Sequence, residues 1–349
     1  MQSFVFPGNI DKSISEIGSA PFMYMRTKEF SGITEESLDI LLDLVHCSEG
    51  RAIIYTGSGT GAMSAVVENY CTTKNKAFVI NGGSFGGRWA SLCEYYGVAY
   101  YDYAVGFAKD INYSDLEEKI AQERPDVLLC QHHETSTGQL FNLEIISNIC
   151  RKYRISLVVD AISSFLAEPL SMEVYNIDIC ITSSQKGLNI PPGLSIVFFS
   201  KELDDYHFNH RGFYWDFDEN LKNLERGQTP FSPATVLFLQ LNARLKQLQA
   251  EGGEDENIRI VHHRAAYFRE LCRKYGWTVP AETPSYAITG FQTRDNEQRV
   301  IFSKLIEKYD TYIMPSGKPG FYRVSHMGLQ TDAELSDLAA HIHEIEQTI

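Results

Sequence analysis

The sequence predicts an α/β fold, with a large domain built on a mostly parallel sheet and a smaller α+β domain at the C-terminal end. Three observations lead there. Short apolar runs rich in β-branched residues recur from about residue 53 to 200, amphipathic stretches of helical length separate them, and past residue 250 longer helical stretches alternate with only brief apolar runs. Runs that are apolar throughout suit strands covered on both faces, and helix-length connections suit right-handed crossovers between parallel neighbours. At 349 residues the chain is longer than a single core usually serves, the limit lying near roughly 250–300 residues, so two domains are expected.

In chain order the expected strands are AIIYT (52–56), AFVIN (77–81), DVLLCQ (126–131), SLVVD (156–160), DICIT (178–182) and LSIVFF (194–199). Helices are expected between them near 60–72, 87–96, 113–123 and 142–153. Residues 233–251 open on Ser-Pro, keep positions 237, 238, 241, 245 and 248 on one face, and stop at Gly252-Gly253, so they read as a helix. A second long helix at about 256–275 follows, then brief runs at 286–291, 312–314 and 321–325 and a last helix near 332–347. The large domain is therefore placed at 16–250 and the small one at 251–349, completed by residues 1–15.

Charge and cysteine content narrow the function. With 31 basic and 45 acidic residues the net charge is −14, which opposes binding to nucleic acid or to anionic lipid. No apolar run approaches the roughly 18 residues that span a bilayer, and the first residues, MQSFVFPGNIDKS, lack a basic stretch followed by an apolar core. A cytoplasmic protein is expected. The seven cysteines lack any CxxC pair and sit in apolar contexts such as VLLC and DICIT, so neither disulfides nor a cysteine-rich zinc site is expected.

Four segments carry chemistry. Gly57-Ser58-Gly59-Thr60-Gly61 opens a helix, where free N–H groups and the helix dipole suit a phosphate, although glycine turns before helices are common without one. Asp160 ends the SLVVD strand, where ligands of α/β sheets bind; it reads either as the partner of a buried cation or as a helix N-cap. Lys186, in SSQKG after DICIT, reads either as a solvated lysine or as a desolvated amine able to attack an aldehyde, and its place one crossover after Asp160 favours the second. His132-His133-Glu134-Thr135-Ser136-Thr137-Gly138 ends the DVLLCQ strand; neighbouring residues of a strand point to opposite faces, so no metal is expected there.

Taken in order, PGN (7–9), GSGTGAMSA, NGGSFGGRW (81–89), HHETSTG, VVDAISS, SSQKGLNIPPG and FYRVSHMG (321–328) resemble the class V branch of the fold-type I aminotransferases dependent on pyridoxal 5′-phosphate (PLP), the branch acting on alanine, serine or 2-aminoethylphosphonate with glyoxylate or pyruvate. The resemblance implies a PLP cofactor held as an internal aldimine on Lys186, with Asp160 keeping the ring nitrogen protonated. It implies phosphate contacts from Ser58, Gly59, Thr60 and Gln185, stacking from Phe85, and Thr135 beside the ring hydroxyl. Thr229, in GQTPFSP, matches a threonine that the neighbouring subunit contributes to the phosphate site, which implies a homodimer. Arg323 matches the arginine that grips a substrate carboxylate, for which a guanidinium offers a bidentate fork. Arg26, in MYMRTKEFSG, matches a family segment without a clear role.

The implied activity is transfer of an amino group from a small amine donor to a 2-oxo acid. A PLP lyase or desulfurase on the same fold stays open, because the cofactor site alone does not select the bond at Cα that breaks. A desulfurase would need an activated cysteine in a mobile loop, and none is evident. A non-catalytic regulatory homologue is the remaining alternative, with Asp160 and Lys186 against it.

Overall fold

The computed structural model describes residues 1–21, 23–209, 211–294 and 299–348. An N-terminal strand β1 (Gln2–Ser3) and helices α1 (Lys12–Glu16) and α2 (Lys28–Leu44) precede the central sheet. That sheet takes β2 (Arg51–Thr56), β3 (Ala77–Asn81), β4 (Tyr100–Ala104) and β5 (Val127–Gln131), then, past the short hairpin β6 (His133–Glu134) and β7 (Gln139–Leu140), β8 (Ser156–Asp160), β9 (Ile179–Ser183) and β10 (Leu194–Phe199). Its order is β2-β10-β9-β8-β5-β3-β4. Only β10 runs against its neighbours β2 and β9; the remaining pairs are parallel. The turns after β2, β3, β5, β8 and β9 consequently meet at one edge of the sheet, and every chemical segment of the sequence lies there.

The crossovers are α3 (Gly59–Asn69), α4 (Gly86–Tyr96), α5 (Tyr113–Glu123) and α6 (Leu143–Tyr153). Polar side chains start three of them: Ser58, Asn112 and Asn142 each accept a backbone N–H of the first turn of α3, α5 and α6, satisfying donors that the helix cannot. The strands read as continuously apolar because both faces are covered, with Ile53, Val79, Leu129, Val158, Ile181 and Val197 all fully buried.

Beyond the sheet come α7 (Phe217–Leu224), α8 (Thr235–Ala250) and α9 (Gly253–Tyr275). The sheet β11 (Ile288–Gln292), β14 (Phe321–Ser325), β13 (Met314–Pro315) follows, with β12 (Thr311–Tyr312) paired to β1 and helices α10 (Val300–Tyr309) and α11 (Asp332–Glu346) against it. A separate apolar cluster, including Phe4, Phe268, Trp277, Phe291, Leu335 and Ile342, forms beneath these elements.

Helices α7 and α10 fall in segments where no element is expected, and three further features differ from expectation. The strand β4 was not anticipated, because an edge strand reading Tyr-Tyr-Asp-Tyr-Ala, of which only Tyr103 is buried, lacks the apolar signature of its neighbours. Helix α2 has a buried face of Phe30, Leu38, Leu41 and Leu42 but was likewise not anticipated. The crossover between β8 and β9 is not a helix: Ser164 N and Phe165 N both donate to Ala161 O, Ala167 N donates to Ser164 O, and Leu166 turns left-handed (φ +61°), so the chain closes as successive turns. This path brings Phe165 O so close to Gly187 that a Cβ there would lie 2.0 Å from it. Glycine beside Lys186 is thus required by packing.

Candidate active site

Lys186 leaves the end of β9 and is only 6% exposed. Burial pushes its amine down to about 7; the nearby Arg323 guanidinium acts in the same direction, and Asp160 opposes it. Asp160, at the end of β8, is 5% exposed, and burial pushes its carboxyl up to about 7. Its Oδ1 accepts Ile162 N at 2.8 Å, which favours the ionised form, as do Lys186 and Arg88, whereas Glu134 disfavours it. The hydrogen bond to Ile162 closes a turn rather than capping a helix, so the N-cap alternative for Asp160 falls with the missing helix. Lysine and carboxylate share one buried space, each felt by the other.

Around this pair a polar chain runs along the sheet edge. Thr135 Oγ1 lies 2.7 Å from Ser163 Oγ, and Ser163 Oγ lies 2.9 Å from His133 Nδ1. Burial pushes His133 down to about 3, so its ring is neutral, and its Nε2 has no partner among the described residues. His132 is buried as well and does not share that chain, as strand alternation requires. Among the described residues no group of His, Cys, Asp and Glu could hold a metal ion.

Ser58 caps α3 with its side chain on Gly61 N, and the first turn of the helix meets the Asp160 loop so closely that a Cβ on Gly59 would stand 2.4 Å from Ile162 Cδ1. Thr60 Oγ1 accepts Arg88 Nη1 at 2.8 Å, and the same guanidinium lies 4.8 Å from the centre of the Phe85 ring. Gln185 is half-buried next to Lys186. Arg323, in the middle of β14, donates Nη1 to Thr135 O at 2.9 Å and Nη2 to Pro315 O at 3.1 Å, while its Nε is buried without a partner.

One predicted residue stands apart. Thr229 Oγ1 donates to Phe231 O at 2.7 Å, and Arg26 Nη1 donates to Thr229 O at 2.7 Å and to Gln228 Oε1 at 2.9 Å. Within this chain Arg26 therefore braces the 228–229 loop instead of the lysine site.

Sequence reading passed over four residues that the geometry brings forward. Arg88 sits inside the quoted NGGSFGGRW segment but was given no role. His133 and Ser163 were noted only as part of loops. Glu134, completely buried, accepts Gly86 N at 3.1 Å, Gln131 Nε2 at 3.1 Å and Ser136 N at 3.0 Å, tying the loop after β3 to the loop after β5. Its partners are all donors of the fold itself.

A buried strand-end lysine and a buried carboxylate within electrostatic reach of each other, on this sheet order, are what a fold-type I PLP-dependent transferase would need. The residues fit the cofactor: an amine whose pKa is lowered to about 7 for an aldehyde, N–H groups at a helix start for a phosphate, and a carboxylate for a ring nitrogen. The chain belongs to the class-V aminotransferases, whose family profile (Aminotransferase class-V) matches residues 16–284. It is 27% identical to the "Soluble hydrogenase, small subunit" of Synechococcus sp., over 93% of this chain and 88% of that one. It is 28% identical to the serine–glyoxylate aminotransferase of Hyphomicrobium methylovorum, over 80% of this chain and 71% of that one. In fold it superposes with a TM-score of 0.91 on an aspartate aminotransferase of subgroup IV from Thermus thermophilus, at 23% identity, covering 100% of this chain and 99% of that one. The protein is a PLP-dependent aminotransferase. Among the described residues no helix is long and apolar enough to cross a membrane.

Proposed function

We propose that the enzyme moves an amino group from a small donor of alanine, serine or 2-aminoethylphosphonate type to a 2-oxo acid such as glyoxylate, and that it works as a homodimer. The observation that carries this reading is the buried Lys186–Asp160 pair with Arg323 beside it. When bound, PLP supplies an electron-withdrawing ring that acidifies the donor's Cα–H. Lys186, with its amine near neutrality, takes that proton and returns it, so one side chain serves as anchor and as general acid–base. Asp160 would be ionised beside a cationic ring nitrogen and keep it protonated. Ser58, Gly59, Thr60 and Gln185, with Thr229 contributed across the dimer, would hold the phosphate, and Phe85 and Thr135 would line the ring. Arg323 presents its remaining donors to the substrate's anionic end.

A desulfurase reading lacks its nucleophile, since all seven cysteines are buried. Of three apolar clusters, one keeps to residues 14–248 and a second joins Phe4 to residues 268–345, which supports a division into domains at 16–250 and 251–349 with the start of the chain joining the latter, while Ile14 packs with the first cluster and a third cluster sets Ala167 against Val261, Ala287 and Ile288.

The experiment is a screen of amine donors against the holoenzyme in single half-reactions, following the cofactor's absorbance and identifying the product. Conversion by at least one of the three donor types, with release of the matching carbonyl compound, is expected. Release of an elimination or decarboxylation product instead would overturn the assignment of amino-group transfer.

A further inference from the structure

We propose that the ring face of Phe6 is the resting place of the Lys186 amine whenever that amine is not joined to the cofactor, making Phe6 a positioning residue for proton transfer. The Lys186 Nζ lies 3.1 Å from the centre of the Phe6 ring. Among the described residues it makes no hydrogen bond and no ion pair, so the negative face of the arene is the group that receives it.

The segment carrying Phe6 is fixed on both sides. Asn189, three residues beyond the lysine, donates Nδ2 to Pro7 O at 2.7 Å and to Asn9 O at 3.3 Å. Phe4 N donates to Tyr312 O and Ser325 N to Phe4 O, each at 2.9 Å, and Leu329 N donates to Asn9 O at 2.9 Å. Gly8, at φ +78°, has Met327 O 3.1 Å from where a Cβ would stand, so the turn after Phe6 fits tightly against the loop after β14. One strap therefore ties the lysine loop to the small domain and fixes the backbone from which the half-buried Phe6 ring projects.

Amino-group transfer needs a lysine that leaves the cofactor, stays close, and carries a proton between two positions. A flexible four-carbon stem in a buried space loses time and direction unless something holds its tip. A salt bridge would hold it too firmly and lock the proton; an arene holds an ammonium weakly and releases the neutral amine. The other groups acting on Lys186 are Asp160 from the β8 end, which favours the charged form, and Arg323 from β14, which disfavours it; buried His133, in β6, is neutral and itself feels the lysine's charge.

This inference rests on Lys186 being the attachment lysine, and the test separates the two. In cofactor-free protein, the pH dependence of Lys186 modification by trinitrobenzenesulfonate is read by peptide mass spectrometry for wild type, Phe6→Leu and Phe6→Tyr. Leucine keeps an apolar side chain and removes the ring face, so the apparent pKa of Lys186 should fall by about 0.5–1, while tyrosine should follow wild type. In the holoenzyme, Phe6→Leu should lower kcat by roughly tenfold, a share of the effect expected of a positioned acid–base, with the donor's KM little changed. Coincident profiles for leucine and wild type, or a tyrosine variant that shifts like leucine, would overturn the proposal. Borohydride labelling of a lysine other than Lys186 would overturn the attachment itself instead.

Discussion

Asp160→Asn separates a carboxylate kept for the cofactor from one kept for the fold. In the cofactor-free protein the folded-state carboxyl sits at about 7 against an ordinary 3.8, so between those values the folded chain binds more protons than the unfolded chain and stability falls as pH rises. By pH 8 the ionised carboxylate costs the fold up to roughly 4 kcal/mol. Asparagine removes that cost and retains the oxygen that accepts Ile162 N at 2.8 Å. Its new NH₂ group needs a partner, which offsets about 1–3 kcal/mol. The cofactor-free variant should therefore be as stable as wild type at pH 8, or more stable by about 1–3 kcal/mol, and the advantage should vanish near pH 4. Catalysis should move the other way. Without a carboxylate at the ring nitrogen, single half-reactions should slow by about 100–1,000-fold, the scale of removing one preorganised electrostatic contact. Urea denaturation at the two pH values and rapid-mixing absorbance measure the two effects. A variant that turns over at a near-normal rate, or that is less stable than wild type at pH 8, would refute the reasoning.

Three further outcomes follow from the same geometry. Arg323→Lys cannot span Thr135 O and Pro315 O while presenting a planar fork, so kcat/KM should drop about 10–100-fold, at roughly 1.4 kcal/mol per tenfold, with PLP binding unchanged; titration of each half-reaction checks this, and a phosphonate donor should suffer less than an α-carboxylate. Glu134→Gln turns one accepting oxygen into a donor that faces either Gly86 N and Gln131 Nε2, at the Oε2 position, or Ser136 N, at the Oε1 position, and should destabilise the fold by about 2–3 kcal/mol, read by chemical denaturation. Thr229→Ala should weaken PLP retention while light scattering still finds a dimer; a fully active monomer would contradict the shared site.

Much of the site was legible because it lies at strand ends, and strands buried on both faces announce themselves as apolar runs. Asp160 and Lys186 each follow such a run directly, so their convergence could be read from order alone. The form of the crossover between them could not be judged by periodicity, since a buried chain of turns carrying Phe165, Leu166 and Leu170 is as apolar as a helix face. Edge strand β4 escaped for the converse reason: exposure lets polar residues in. Glu134 and Phe6 were illegible in a different way. Nothing local distinguishes a carboxylate that binds backbone N–H groups from one that binds metal, and the meeting of residue 6 with residue 186 depends on the strap formed by Pro7, Asn9 and Asn189.

The central claim is that Lys186 is the amine that carries PLP and moves the proton. Borohydride reduction of the yellow holoenzyme, followed by peptide mapping, tests it most directly. The cofactor should be fixed to the peptide bearing Lys186, and Lys186→Ala should show no covalent label and no turnover. Label on another lysine, or turnover surviving in Lys186→Ala, would contradict the account.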